Sequence, residues 1–157
     1  MIGFPLSLVG GAALALQADG GIIGAAGTSS STDGDSYLVR LDGTFGSRDT
    51  DFGNDGVKML NLINGAVDYI TALSQQADGK FVIAGSAQIG GSLNAFVARF
   101  GPDGRLDRSF SDGIVAPITG SAFATFQALA LDVDGRIIAT GYRTDAQDEL
   151  LLCRFWP

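Results

Sequence analysis

Histidine does not occur in this chain of 157 residues. That removes the commonest general base and the commonest metal ligand together. Cysteine occurs once, at Cys153, so neither an intrachain disulfide nor a cysteine-built zinc site can form. Its neighbours Leu150, Leu151, Leu152 and Phe155 point to an inert, buried thiol, because a reactive one needs an electropositive, partly exposed setting. Positive charge is scarce: ten Lys and Arg face seventeen Asp and Glu, for a net charge of −7. Those ten are scattered, which argues against a nucleic-acid partner. No membrane insertion is expected either. The apolar N-terminal stretch Met1–Leu6 has no cationic residues before it and is too short to span a bilayer. With no signal peptide legible, the expectation is a cytosolic chain or a piece of a longer secreted one.

Glycine is abundant, at 23 residues. Much of it follows aspartate, and Asp-Gly pairs mark tight turns because glycine reaches positive φ without steric cost. Three such pairs anchor a repeat. Ala13–Gly20, Ala72–Gly79 and Ala128–Gly135 align, with Asp19-Gly20, Asp78-Gly79 and Asp134-Gly135 set 59 and then 56 residues apart. Each anchor leads into a second apolar run that ends near glycine: Ile22–Gly27, Phe81–Gly85 and Ile137–Gly141. Two β-prone runs joined at Asp-Gly read as a hairpin. After a polar loop comes a third run, Tyr37–Leu41, Phe96–Phe100 and Leu151–Phe155, with arginine in the same place each time (Arg40, Arg99, Arg154). In the first two copies another turn leads to a fourth run, Val57–Leu62 or Ile114–Ile118, the latter interrupted by Pro117 and so placed at an edge or strand end.

Four short strands recurring as a unit predict an all-β, propeller-like array of three four-stranded repeats. The first three runs are apolar on both faces, as strands packed between neighbouring sheets would be. The chain reads as one repeat domain over residues 1–157, with repeats near 12–69, 70–125 and 126–157. Residues 1–11 are read as a closing strand, since Ile2–Leu6 resembles Ile114–Ile118. Phe155-Trp156-Pro157 parallels Phe100-Gly101-Pro102 inside a turn. Three blades are too few for a closed propeller. The array is therefore either a segment with neighbouring repeats in a longer chain, or half of an oligomeric ring. In the second case two copies form a homodimer of six blades.

The middle copy, residues 72–113, resembles the delta-60 repeat family. The resemblance rests on Ala72 through Gly79, Lys80, Gly85, Arg99, Pro102-Asp103-Gly104, Leu106, Asp107, Ser109, Phe110, Asp112 and Gly113. The first copy departs from it, with Asp42-Gly43-Thr44-Phe45 in place of the Pro-Asp-Gly turn. The resemblance implies bacterial β-propeller-like repeats, often in exported or surface-associated proteins, and supplies no catalytic residue.

No catalytic constellation emerges from the residues themselves. Asp132, Asp134 and Gly135, and likewise Asp49, Asp51, Asp55 and Gly56, contain fragments of a calcium loop but lack its terminal glutamate, and read as turns. Asp145, Asp148 and Glu149 read as a solvated polar loop. Gly90-Gly91-Ser92 lacks the strand–helix context of a phosphate loop. The three arginines either bind an anionic or polar ligand or pair inside the fold, with the turn carboxylates Asp19, Asp78 and Asp134 or with free carbonyls. A charge within an apolar strand needs a partner, which favours the structural role. Ligand contact is expected, if anywhere, near Gln17, Gln76 and Asp132, where the first strand of each repeat would line the ring centre, or at Trp156. The functional expectation is a non-catalytic interaction or structural scaffold without cofactor or metal. A lectin-like carbohydrate-binding propeller and a carboxylate-based hydrolase or lyase stand as alternatives.

Overall fold

Short apolar runs flanked by Asp-Gly turns become antiparallel strands. The computed structural model shows eleven of them among the residues it describes, 8–28, 36–60, 62, 66–116 and 123–156. Strands β1 (Leu8–Leu16), β2 (Ile22–Thr28), β3 (Ser36–Leu41) and β4 (Val57–Leu60) form one antiparallel sheet in sequence order. Strands β5 (Val67–Gln75), β6 (Phe81–Ile89) and β7 (Ser92–Phe100) form a second antiparallel group, with β8 (Ile114–Val115) on β7. Strands β9 (Phe123–Leu131), β10 (Ile137–Thr144) and β11 (Asp148–Phe155) form the third. Among the described residues the only helical element is a single 3-10 turn at Ser111–Gly113.

The three groups are not equal strand for strand. Among the described residues only the first has four strands longer than two residues. The fourth strand of the second group is two residues long, just ahead of Pro117, which has no N–H for a ladder. The third group has three strands among the described residues, and one parallel bridge, Leu93 to Phe123, joins β7 to β9. Residues 1–7, most of the segment read as a closing strand, lie outside the described residues, and Leu8–Gly11 belong to β1. The polar loop expected between the second and third runs shrinks, in the second group, to Gly90-Gly91. With φ of 59° and 86°, these two residues form the hairpin turn that a right-twisted strand pair favours.

The sheets pack face to face, and strand alternation sorts the side chains between two cores. Phe81, Ile83, Phe96, Ala98 and Phe100 of the middle group join Ile23, Ala25, Leu38 and Phe52 of the first. The alternate residues Val82, Ala84, Ala95 and Val97 join Ala124, Phe126, Ile137 and Ala139 of the third. The rings of Phe81 and Phe100 stack with centroids 5.5 Å apart. First strands neighbour one another, β1 against β5 and β5 against β9. This brings the three Asp-Gly turns to one end of the stack.

A bulge recurs in β5 and β9. Thr71 is extra opposite β6, and Gln127 is extra opposite β10. Glycine faces each bulge. A Cβ on Gly85 would stand 1.8 Å from the Tyr69 carbonyl oxygen, and one on Gly141 would stand 2.0 Å from that of Thr125. The close approach of the bulged backbone, rather than a positive φ, therefore excludes any side chain there.

Candidate functional site

The Asp-Gly turns are built alike. Gly20, Gly79 and Gly135 have φ of 86°, 85° and 76°. Their N–H groups donate to the carbonyls of Gln17, Gln76 and Asp132, each at 3.0 Å. Asp19 and Asp78 accept the N–H two residues on, of Gly21 at 2.9 Å and Lys80 at 3.2 Å. In the third turn Asp132 does this work instead, accepting the N–H groups of Asp134 and Arg136, both at 2.9 Å. Asp134 is ion-paired with Arg136.

The arginines find their partners elsewhere. Arg40 Nε donates to Asp49 at 2.5 Å, and its guanidinium carbon lies 4.6 Å from the centre of the Phe52 ring. Arg99 Nε donates to Asp107 at 2.9 Å, Nη2 donates to Ser109 Oγ at 3.1 Å, and the group lies 4.9 Å from the Phe110 ring centre. Thus Asp49 and Asp107, not Asp19 and Asp78, take the arginines. The turn after the third strand folds back so that the Asp N–H bonds to the carbonyl of the very arginine its side chain holds, 3.0 Å for Asp49 to Arg40 and 2.8 Å for Asp107 to Arg99. The signal was present in the sequence as Asp-x-x-Phe following each arginine, in Asp49–Phe52 and Asp107–Phe110.

Asp107 carries the strongest local electrostatics. The Ser109 hydroxyl, then the Ser109 N–H, Lys80 and the charge of Arg99, lower its pKa to about 2 against the opposing pull of burial. Lys80 bridges two carboxylates, Asp78 at 3.4 Å and Asp107 at 3.3 Å, tying the first turn of the repeat to the last. Arg40 also reaches out of its own group, since Nη1 donates to the Pro102 carbonyl at 2.8 Å. Arg154, at the same place in the third group, is exposed at the edge of β11.

The residues expected near a ring centre lie at equivalent turn positions but do different work. Gln17, with Asp19, Arg40, Gln75, Gly79 and Pro102, lines an open cleft of about 260 Å³ between the first two groups. Gln76 is buried, and its Nε2 donates to the Gly135 carbonyl at 3.0 Å, bridging the second and third groups. Asp132 lies 3.5 Å from Arg136. The cleft that Gln17 lines includes neither Gln76 nor Asp132. Trp156, 69% exposed just beyond β11, has the Arg136 guanidinium 4.6 Å from its ring centre.

The acidic stretches are engaged by neighbours. Asp55 pairs with Arg48 at 2.7 Å, and Asp49 with Arg40. No group of three or more metal-ligating residues able to hold an ion occurs among the described residues. Asp148 and Glu149, expected in a loop, begin β11. Glu149 accepts from Arg143 at 2.6 Å and pushes the arginine pKa upward. Cys153 is half-buried rather than buried, because β11 is covered on one face only, and burial raises its thiol pKa.

Residues 76–110, within the second group, match a family described as a domain of unknown function with a beta-propeller fold (DUF5122). No curated protein and no solved structure matches the chain. The matched segment runs from Gln76 to Phe110, and so contains Arg99, Asp107 and Phe110.

Proposed function

We propose that this chain is a non-catalytic β-propeller repeat module that acts as a scaffold, presenting its turn end to other macromolecules. The arginine clamp carries this reading. It is built twice at the same place, and each time the guanidinium is held by a carboxylate and a phenyl ring of its own group. The charge that could have served a ligand is thus engaged within the fold. The beta-propeller match over residues 76–110 supports a repeat module of this kind. The likeness to delta-60 repeats favours a place in a surface or exported bacterial protein. Exposed Trp156 favours a second reading, carbohydrate stacking, but Gly101 stands at the equivalent place in the middle repeat. A glycan array combined with a panel of hydrolase and lyase substrates tests the proposal. The scaffold reading expects no turnover and no glycan signal that depends on Trp156. Turnover abolished by substituting Asp132 or Asp148 would reject it, and glycan binding lost in Trp156→Ala would favour the second reading.

A further inference from the structure

We propose that the two outer sheet faces of this chain are the two halves of one joint, and that a second copy of the chain covers both, head to tail. Two joints of this kind already exist inside the molecule. In each, the first strand of one group lies across the group before it: β5 against β1, β2 and β3, and β9 against β5, β6 and β7. Every group therefore has a rear face, turned to its predecessor, and a forward face, turned to its successor.

On the middle group the rear face carries Phe81, Phe96 and Phe100, and the forward face carries Val82, Ala84 and Val97, all buried. The repeat spacing places Ile22, Tyr37 and Leu41 at the rear positions of the first group. There they line an open, almost wholly apolar groove of about 280 Å³, with Leu14 67% exposed beside them. The same spacing places Ile138, Thr140 and Leu152 at the forward positions of the third group. There Leu150 and Leu152 are 80% and 70% exposed. Each outer face thus repeats a pattern that is buried elsewhere in the same molecule, always against another repeat. A rear face is covered by a forward face, and one second copy supplies both.

Two further observations fit this occupant. The forward face is fuller than its internal counterpart, with Leu150 and Leu152 where the middle group has Ala95 and Val97. The rear face is emptier, with Gly24 where the middle group has Ile83. The excess on one side matches the deficit on the other, whereas rear-to-rear pairing would set groove against groove. The internal joint between the first two groups is also fastened by Arg40, which donates to the Pro102 carbonyl at 2.8 Å. Arg154 is its counterpart on the outer forward face, and Gly43 holds the place of Pro102 in the first turn. Head-to-tail pairing would bring Arg154 to the Gly43 carbonyl of the second copy. Six groups fall within the four to eight blades that propellers use, and a two-fold head-to-tail contact closes without leaving an open face.

Multi-angle light scattering at tens of micromolar, on the whole 157-residue chain and two charge variants, tests this. The unaltered chain should have twice the mass of one copy. Leu14→Glu, on the rear face, and Leu152→Arg, on the forward face, should each halve the mass. Both sites are exposed in the single chain, and circular dichroism checks that each variant stays folded. Mixing the two variants should restore the double mass. One joint is then unaltered, and in the other the introduced carboxylate and guanidinium oppose each other. A single-copy mass for the unaltered chain overturns the proposal. So does loss of the dimer in only one variant, the signature of same-face pairing. Mass that climbs without limit also overturns it, as the mark of faces that await a different neighbour. None of these outcomes bears on the glycan and hydrolase assays, so failure here is distinct from failure of the scaffold reading.

Discussion

Arg40 and Arg99 hold the same place in consecutive repeats, but their side chains are 18% and 4% exposed. That difference decides how much each matters. Arg99→Ala takes from Asp107 its most buried partner, leaving it Lys80 and Ser109, and opens a void beside Phe110, so it should lower the unfolding free energy by roughly 2–4 kcal/mol. Arg40→Ala, in better-solvated surroundings, should cost about 1 kcal/mol. Urea denaturation of the two variants checks the ranking, and equal costs would contradict it. Asp107 supplies a pH signature. Its folded-state pKa of about 2 lies below the ordinary 3.8. The stabilisation is therefore complete above about pH 4 and is lost as the pH falls toward 2. Asp107→Asn should remove that part of the acid limb while leaving Lys80 and Arg99 in place; an unchanged acid profile would mean that other carboxylates govern it. The sequence made the triplicate arginine visible and left its partner open. The Asp-Gly carboxylates looked available because they recur with nearly the same spacing as the arginines. Asp19 and Asp78 turn instead onto N–H groups of their own turns, as aspartate in a tight turn does, and Asp134 pairs with Arg136, whereas the partners of Arg40 and Arg99 lie in the Asp-x-x-Phe turn that follows.

At the scale of strands, hairpins were legible wherever Asp-Gly joined two apolar runs, because that pair dictates turn geometry locally. Three features were not. The bulges at Thr71 and Gln127 depend on one residue of register. The parallel bridge from Leu93 to Phe123 depends on how two groups meet. The shortness of β8 depends on where the chain leaves the sheet. The bulges nevertheless left a trace, the repeated glycine at Gly85 and Gly141, which looked like a simple strand end. Its cause is steric, and so is the test. Gly85→Ala or Gly141→Ala sets a methyl against the carbonyl of Tyr69 or Thr125, and the strand must shift. Each should cost roughly 1–3 kcal/mol, the usual range for overpacking. Ala26, the counterpart in the first repeat, should change to glycine with only the entropic loss of about 0.5–1 kcal/mol, because its partner Ala12 lies at the end of a differently placed irregularity. Thermal melts of the three variants separate these cases, and a neutral Gly85→Ala would show that the bulge is not held rigidly.

Taken as a whole, the described strands form a stack in which the main contacts of each group are with its neighbour in sequence, the arrangement in which stability adds up from each unit and its joints. The three Asp-Gly hairpins were legible in the sequence, because duplication preserves anchors. Which face of each strand meets which neighbour was not, since runs apolar on both faces carry no alternation to read. The structure resolves this through burial: Phe81–Ala87 and Asn94–Phe100 are buried without interruption, while β1 and β11 each expose leucines on one face. Hydrogen exchange should follow the stack. Amides of β6 and β7 should exchange slowest, since opening them disrupts two joints, and those of β1 and β11 faster, since opening them disrupts one. The contrast should be sharpest in Leu14→Glu, where no second copy covers the outer faces, and should narrow in the unaltered chain as the outer strands gain a neighbour. Uniform protection across all three groups of the variant would mean that the stack opens as one unit, and neighbour-by-neighbour stability would then be wrong for this molecule.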